Sequence, residues 1–187
     1  MENTVRLTLS EEILLLLTQC IGKKLHALKY MSLGMERSAY GNIGLLFDGL
    51  SLELSNTLIV TDVDGKDDYA RLKISTMTSD TPTVSLEDCD FLQETIEDDV
   101  MDIQIISDVV TWEGEAANWR LEIDVAIEVD MKSTAIVLQK DVWFSEEIRI
   151  LEGTDYQSRL LPINTGWEFE PESNATYSRS IRSLSIR

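Results

Sequence analysis

The chain has 187 residues and a net charge of −18, with 34 acidic residues, 16 basic ones and a single histidine. A hydrophobic fraction of 43% with four tryptophans is ample for a core and excludes wholesale disorder, and no window reaches the roughly 18 apolar residues a membrane-spanning helix needs. A field this acidic repels nucleic acid and anionic membranes, so neither is an expected partner, and attracts cationic ones.

The length suits one domain, or two intimately packed halves. Ser10 is placed to cap a helix, Glu11 and Glu12 complement its dipole, and Gly22 stops it after Ile21. The run Ile13–Leu17 is too short for a membrane span and follows two glutamates where a signal peptide would carry basic residues, so a cytosolic location is expected. A strand over Lys24–Met31 comes next, with His26, Leu28 and Tyr30 on one face. Ile43–Phe47 and Leu50–Leu54 alternate around Asp48-Gly49, a strong hairpin signal. A loop through Asp62–Asp68 leads to a fourth strand over Ala70–Ser75. Residues 1–76 thus read as one helix followed by a four-stranded antiparallel meander.

Residues 77–85, polar and containing Pro82, read as a linker. The plan then recurs: a helix over Leu86–Ile96 with Leu86, Cys89, Phe91, Leu92 and Ile96 as its apolar side, then strands over Val100–Val110, Leu121–Val129, Thr134–Leu138 and Glu147–Leu151. Leu16–Met31 also aligns without a gap on Phe91–Ile106, apolar on apolar, with identities at Leu17/Leu92 and Ile21/Ile96. The expected fold is therefore α+β: two tandem repeats of one helix plus a four-stranded antiparallel meander, over 1–76 and 86–152, related by a pseudo-two-fold. Residues 153–187 form a C-terminal extension packing on the repeats. Its end, carrying Arg179, Arg182 and Arg187, reads as a terminal strand or arm on the protein's own acidic face.

Catalytic signals are sparse. Cys20 and Cys89 fall on predicted helices and read as buried free thiols. His26, on an inward strand face, reads as a packed core imidazole, and a lone histidine makes a zinc site improbable. Asp62–Asp68 resembles a calcium loop, but its glycine comes one residue early and Lys66 stands where a ligand belongs. There is no glycine-rich phosphate loop. No catalytic residue, metal or cofactor is expected.

The charge distribution is the informative feature. Residues 80–130 hold one basic residue, Arg120, against sixteen acidic ones. Glu87, Asp90, Glu94, Glu97 and Asp98 lie three or four apart on the predicted second helix, Asp99 and Asp102 continue the charge, and Glu122, Asp124 and Glu128 form the polar face of the Leu121–Val129 strand. Trp112 and Trp119 flank a loop in the same region and would anchor an interface if exposed. In size, acidity and lack of catalytic furniture the chain is similar to bacterial immunity proteins, a likeness of character with no motif behind it. The expected function is a non-enzymatic acidic protein that occludes a cationic site on a basic protein partner, a toxin or nuclease. The alternatives are a structural or self-assembling module, such as a homodimer through open strand edges, and an enzyme dependent on carboxylates or a divalent metal.

Overall fold

The computed structural model describes residues 2–32, 37–63, 66–79, 81–83, 91–114, 117–142, 145–163 and 174–185, with 62–63 and 66–68 described by backbone alone. The elements in chain order are β1 (Glu2–Leu7), α1 (Glu11–Thr18), β2 (Lys24–Ser32), β3 (Ser38–Phe47), β4 (Leu50–Val63), β5 (Lys66–Thr76), β6 (Leu92–Glu113), β7 (Asn118–Met131), β8 (Ala135–Lys140), β9 (Glu147–Glu152), a single 3-10 turn (Tyr156–Arg159) and β10 (Thr176–Ser183).

All ten strands belong to one mixed sheet in the order β1-β7-β8-β9-β3-β2-β6-β10, with β4 and β5 branching from β3. Because β6 also pairs antiparallel with β7, the path β7-β8-β9-β3-β2-β6 closes on itself. The only parallel pairing among the described residues is β1 on β7. Closure removes edges from the ring, and β1, β5 and β10 remain as the outer strands.

This overturns the α+β expectation. The molecule is mostly β, with one α-helix among the described residues and no pair of helix-plus-meander repeats. The first part of the predicted second helix lies outside the described residues, and Leu92–Ile96 is strand. The aligned segments are sheet neighbours: Lys24 lies opposite Asp99, Leu25 opposite Asp98, Leu28 opposite Glu94 and Tyr30 opposite Leu92. The physical reason lies in the charges. On a helix, acids three and four apart with no lysine between them repel one another. On a strand beside β2 they receive cations from a neighbouring element.

Ser10 caps α1 as expected, its hydroxyl accepting from the Ile13 N–H at 3.5 Å, and Gly22 follows the helix with φ +82°. The helix lays Leu17 and the nearby Cys20 against Leu25, Leu28, Ile103, Ile127, Leu138 and Ile150, apolar side chains of the closed ring. Burial raises the Cys20 thiol to about 12, so it behaves as an inert apolar side chain. A second cluster joins Leu7, Tyr69, Trp112, Leu121, Val137 and Tyr156. Strand β7 serves both clusters: Leu121, Ile123 and Val125 face the second, Ile127 and Val129 the first, with a register shift between Asp124 and Ala126 at the changeover.

The C-terminal strand is pinned by charge. Arg179 on β10 donates to both carboxylate oxygens of buried Asp108, from Nε at 2.6 Å and from Nη2 at 2.8 Å, and Nη1 donates to the Leu161 carbonyl at 2.9 Å. Burial pushes Asp108 above the usual carboxylate range against the opposing pull of Arg179. Beside them Lys140, 3% exposed, donates to the Ala70 carbonyl on β5, and burial lowers its ammonium to about 7. These groups line a cavity of about 30 Å³, room for a single water. Removing one partner of a buried charge pair leaves the other uncompensated. Arg179→Ala is accordingly expected to cost about 3 kcal/mol in urea unfolding, while Arg182→Ala, on an exposed position of the same strand, stays within about 0.5 kcal/mol.

Candidate functional site

The acids singled out in the sequence do not form one surface. Glu87 and Asp90 lie outside the described residues. Glu94 is held by Arg37 and accepts from the Tyr30 hydroxyl at 3.2 Å. Asp98 accepts from the backbone N–H and the hydroxyl of Ser133, and Asp99 pairs with Lys132 at 2.7 Å. Glu122 sits between Arg6 at 2.9 Å and Arg120 at 2.7 Å. Asp124 is buried, accepting from the Leu9 N–H at 2.7 Å and the Ser107 hydroxyl at 2.6 Å. Trp112 and Trp119 stack across β6 and β7 with ring centroids 6.2 Å apart; Trp112 is buried and Trp119 packs partly buried against the second cluster, so neither stands free as an anchor.

Two groupings remain. The first is built on His26, which is not the packed core imidazole expected. It is half-exposed, with Nε2 at 2.7 Å from Asp48 Oδ1 and Nδ1 at 3.0 Å from Glu97 Oε1. A bulge explains the departure. Leu25 and Ala27 lie opposite the adjacent residues Phe47 and Leu46, so His26 is the extra residue on β2 and leaves the alternation. On the other side β6 carries the extra residue, between Asp98 and Thr95, and Glu97 there has φ +58°, a left-handed backbone that costs a non-glycine residue free energy. Lys23 Nζ donates to the Asp48 carbonyl at 2.8 Å, and Lys24 lies 4.0 Å from Glu97. The grouping therefore ties β2, the β3–β4 turn and β6 together.

The second grouping contains Asp102 on β6 and Glu128 and Asp130 on β7. Asp102 and Asp130 are directly opposite, and Glu128 lies two residues along, opposite Gln104. Glu128 is 3% exposed and accepts from the Tyr156 hydroxyl, whose own ionisation burial and Glu128 push up to about 12. Asp102 accepts from the Ile103 and Ser185 N–H groups at 2.8 and 2.9 Å. Burial, then Asp102, raises Asp130; burial chiefly, with Asp130 and Asp102 adding to it, raises Glu128 against the opposing Tyr156 hydrogen bond. Among the described residues no Lys, Arg or His lies within ion-pair distance of any of the three. Like charges directly opposite on neighbouring strands are destabilising, and carboxyls raised by burial and by each other mark candidate sites. Asp102 and Glu128 were legible in the sequence as part of the acidic set; what the structure adds is their pairing with Asp130 and the missing counter-charge.

Among the described residues no three His, Cys, Asp or Glu side chains converge as metal ligands, and no helix is long and apolar enough to cross a membrane. The side chains of Asp62–Asp68 lie outside the described residues.

The His26 grouping makes stability depend on pH. Its hydrogen bonds to Asp48 and then Glu97 raise the imidazole above its ordinary 6.5, and the His26 bond lowers Asp48 below its ordinary 3.8. A raised folded value contributes stability that is complete below 6.5 and is lost as pH climbs through that raised value; the Asp48 contribution is lost as pH falls through its lowered one. The destabilisation caused by His26→Gln is therefore expected to be larger at about pH 5.5 than at about pH 8.5. Thermal melts of both proteins at the two pH values check it, and an NMR titration should place the His26 ring above the usual histidine value.

Comparison of the chain with protein-family models, with curated proteins and with solved structures returns no match, so the site itself is the basis for a functional reading.

Proposed function

We propose that the chain is a non-catalytic binding protein that occludes a cationic site on a protein partner, in the manner of an immunity-type inhibitor of a basic toxin or nuclease. The observation that carries this reading is the carboxyl trio of Asp102, Glu128 and Asp130. It concentrates acidic groups on two adjacent strands with no cation in ion-pair distance among the described residues, where most other described acids of the same segment are spent on internal partners. A lysine or arginine from a partner would relieve the Asp102–Asp130 repulsion. The net charge of −18 would steer the encounter and make the on-rate fall with salt. Both ring nitrogens of His26 face carboxylates, and the Cys20 thiol is fully buried.

The reading couples binding to stability with opposite signs. Asp102→Asn keeps an oxygen acceptor for Ser185 and Ile103 while removing the like charge, and Asp130→Asn removes it from the other strand. Either substitution is expected to raise unfolding stability by about 0.5 kcal/mol at neutral pH. The double variant should lose the basic protein that the unaltered chain retains from a lysate of its own cells at low salt. Retention of the same protein by the double variant, with the same salt dependence, would remove the trio from the mechanism.

A further inference from the structure

Between the N-terminal turn of α1 and strand β5 lies an open cleft of about 340 Å³, within the range of small-molecule pockets. Its composition is the reverse of the protein's. The chain carries 34 acidic residues, yet among the described residues no aspartate or glutamate lines this cleft. The walls are aliphatic, from Leu9, Ile13, Leu72 and Ile74; hydroxylic, from Ser10, Ser55 and Ser75; and cationic, from Arg71 and Lys73. Glu11 and Glu12 follow Ser10 directly but are exposed and do not line it.

The two cations are unspent. Arg6, Arg37, Arg120, Lys132, Arg159 and Arg179 each sit on a carboxylate. Arg71 donates from Nη2 to the Thr8 carbonyl at 3.0 Å, which holds the guanidinium in place, and meets no carboxylate among the described residues. Its Nε is buried without a hydrogen-bond partner. Lys73, two residues along the same strand and so on the same face, has no ion-pair partner among the described residues. In a molecule so rich in acid, two neighbouring cations kept clear of carboxylates beside an apolar wall form a recognisable binding chemistry.

We infer that this cleft binds a small organic carboxylate with an apolar body. The carboxylate sits against Arg71 and Lys73, where a guanidinium offers paired N–H donors and the ammonium adds charge. The serine hydroxyls supply further donors, and the aliphatic or aromatic body lies against Ile13, the partly exposed apolar side chain of the lining, with Leu9, Leu72 and Ile74 buried behind it. This site is separate from the carboxyl trio on β6 and β7 and does not depend on the protein-partner reading.

Calorimetric titration with octanoate and phenylpropionate, using octanamide and inorganic phosphate as controls, tests it. Saturable binding of the acids is expected, with octanamide about tenfold weaker because the charge-assisted bonds are lost. Lys73→Gln removes a side chain that the fold does not use, so its folding is secure, and it should weaken the acids about tenfold without changing the melting temperature of the free protein. Arg71→Gln should weaken them further, with circular dichroism confirming the fold. No carboxylate binding at millimolar concentration, equal affinity for octanamide, or unchanged affinity in Lys73→Gln would each overturn the proposal. Phosphate binding as tight as octanoate would overturn the apolar part of it.

Discussion

The pairing of β6 with β7 holds the architecture together. Strand β6 runs for 22 residues and pairs with β2 along its first part, with β7 along its later part, and with β10 on the side that β2 leaves. Without the β6–β7 ladder the remaining strands would be an open sheet with β6 and β7 near opposite ends. With it, Val100, Ile103 and Ile105 meet Ile127, Val129 and Leu138 inside one closed path, and the single helix covers apolar surface that the ring presents. The β6–β7 ladder is itself a hairpin, starting from Glu113 opposite Asn118, so the loop-closure cost of shutting the ring falls on the long-range pairings of β2 with β6 and of β3 with β9.

That closure explains how the chain accommodates its acids. A strand as acidic as β6 would be a poor neighbour for another acidic strand, and β7 is one. The fold separates most of the charges by aiming them at different elements: Glu94 to Arg37, Asp99 to Lys132, Asp108 to Arg179, Glu122 to Arg6 and Arg120. Each cation comes from outside β6, and those serving Glu94, Asp99 and Asp108 lie far away in sequence. The concentration of charge between residues 80 and 130 is therefore a property of the sequence more than of the surface. In three dimensions the part of it on the described residues is distributed around the sheet and largely answered.

How much of this was legible follows from the range of the interactions. The Ser10 cap, the Asp48-Gly49 turn and the inward Ile43, Leu45 and Phe47 of β3 depend on residues close in sequence and were readable there. The second helix was misread because Phe91, Leu92 and Ile96 fit a helical stripe, while the β2 strand that claims Leu92–Asp99 lies some 70 positions away and leaves no local mark. His26 was misplaced for a similar reason: strict alternation assigns it inward, and a one-residue bulge facing Phe47 and Leu46 turns it out. Strand β1 was missed because its partner is Asn118–Ile123, and six residues of mixed polarity do not announce a parallel pairing so far off. One local signal exists: Asp108 is a lone charge among Ile105, Ile106, Val109 and Val110, and such a charge often marks a buried, partnered group.

The same reasoning separates the carboxyl trio and the α1–β5 cleft from the rest of the charged surface. Where a charge has an internal partner, its presence is accounted for by folding. Asp102 opposite Asp130, with Glu128 buried beside them, works against folding, since burial and the neighbouring carboxyls oppose ionisation of Glu128 and Asp130. Arg71 and Lys73 are two neighbouring cations with no ion-pair partner among the described residues, in a molecule with twice as many acids as bases. Natural sequences give up local consistency mainly where a site requires it. Two places of opposite sign, on different strands, each lacking a counter-charge among the described residues, are where a partner and a ligand have the most free energy to gain by arriving.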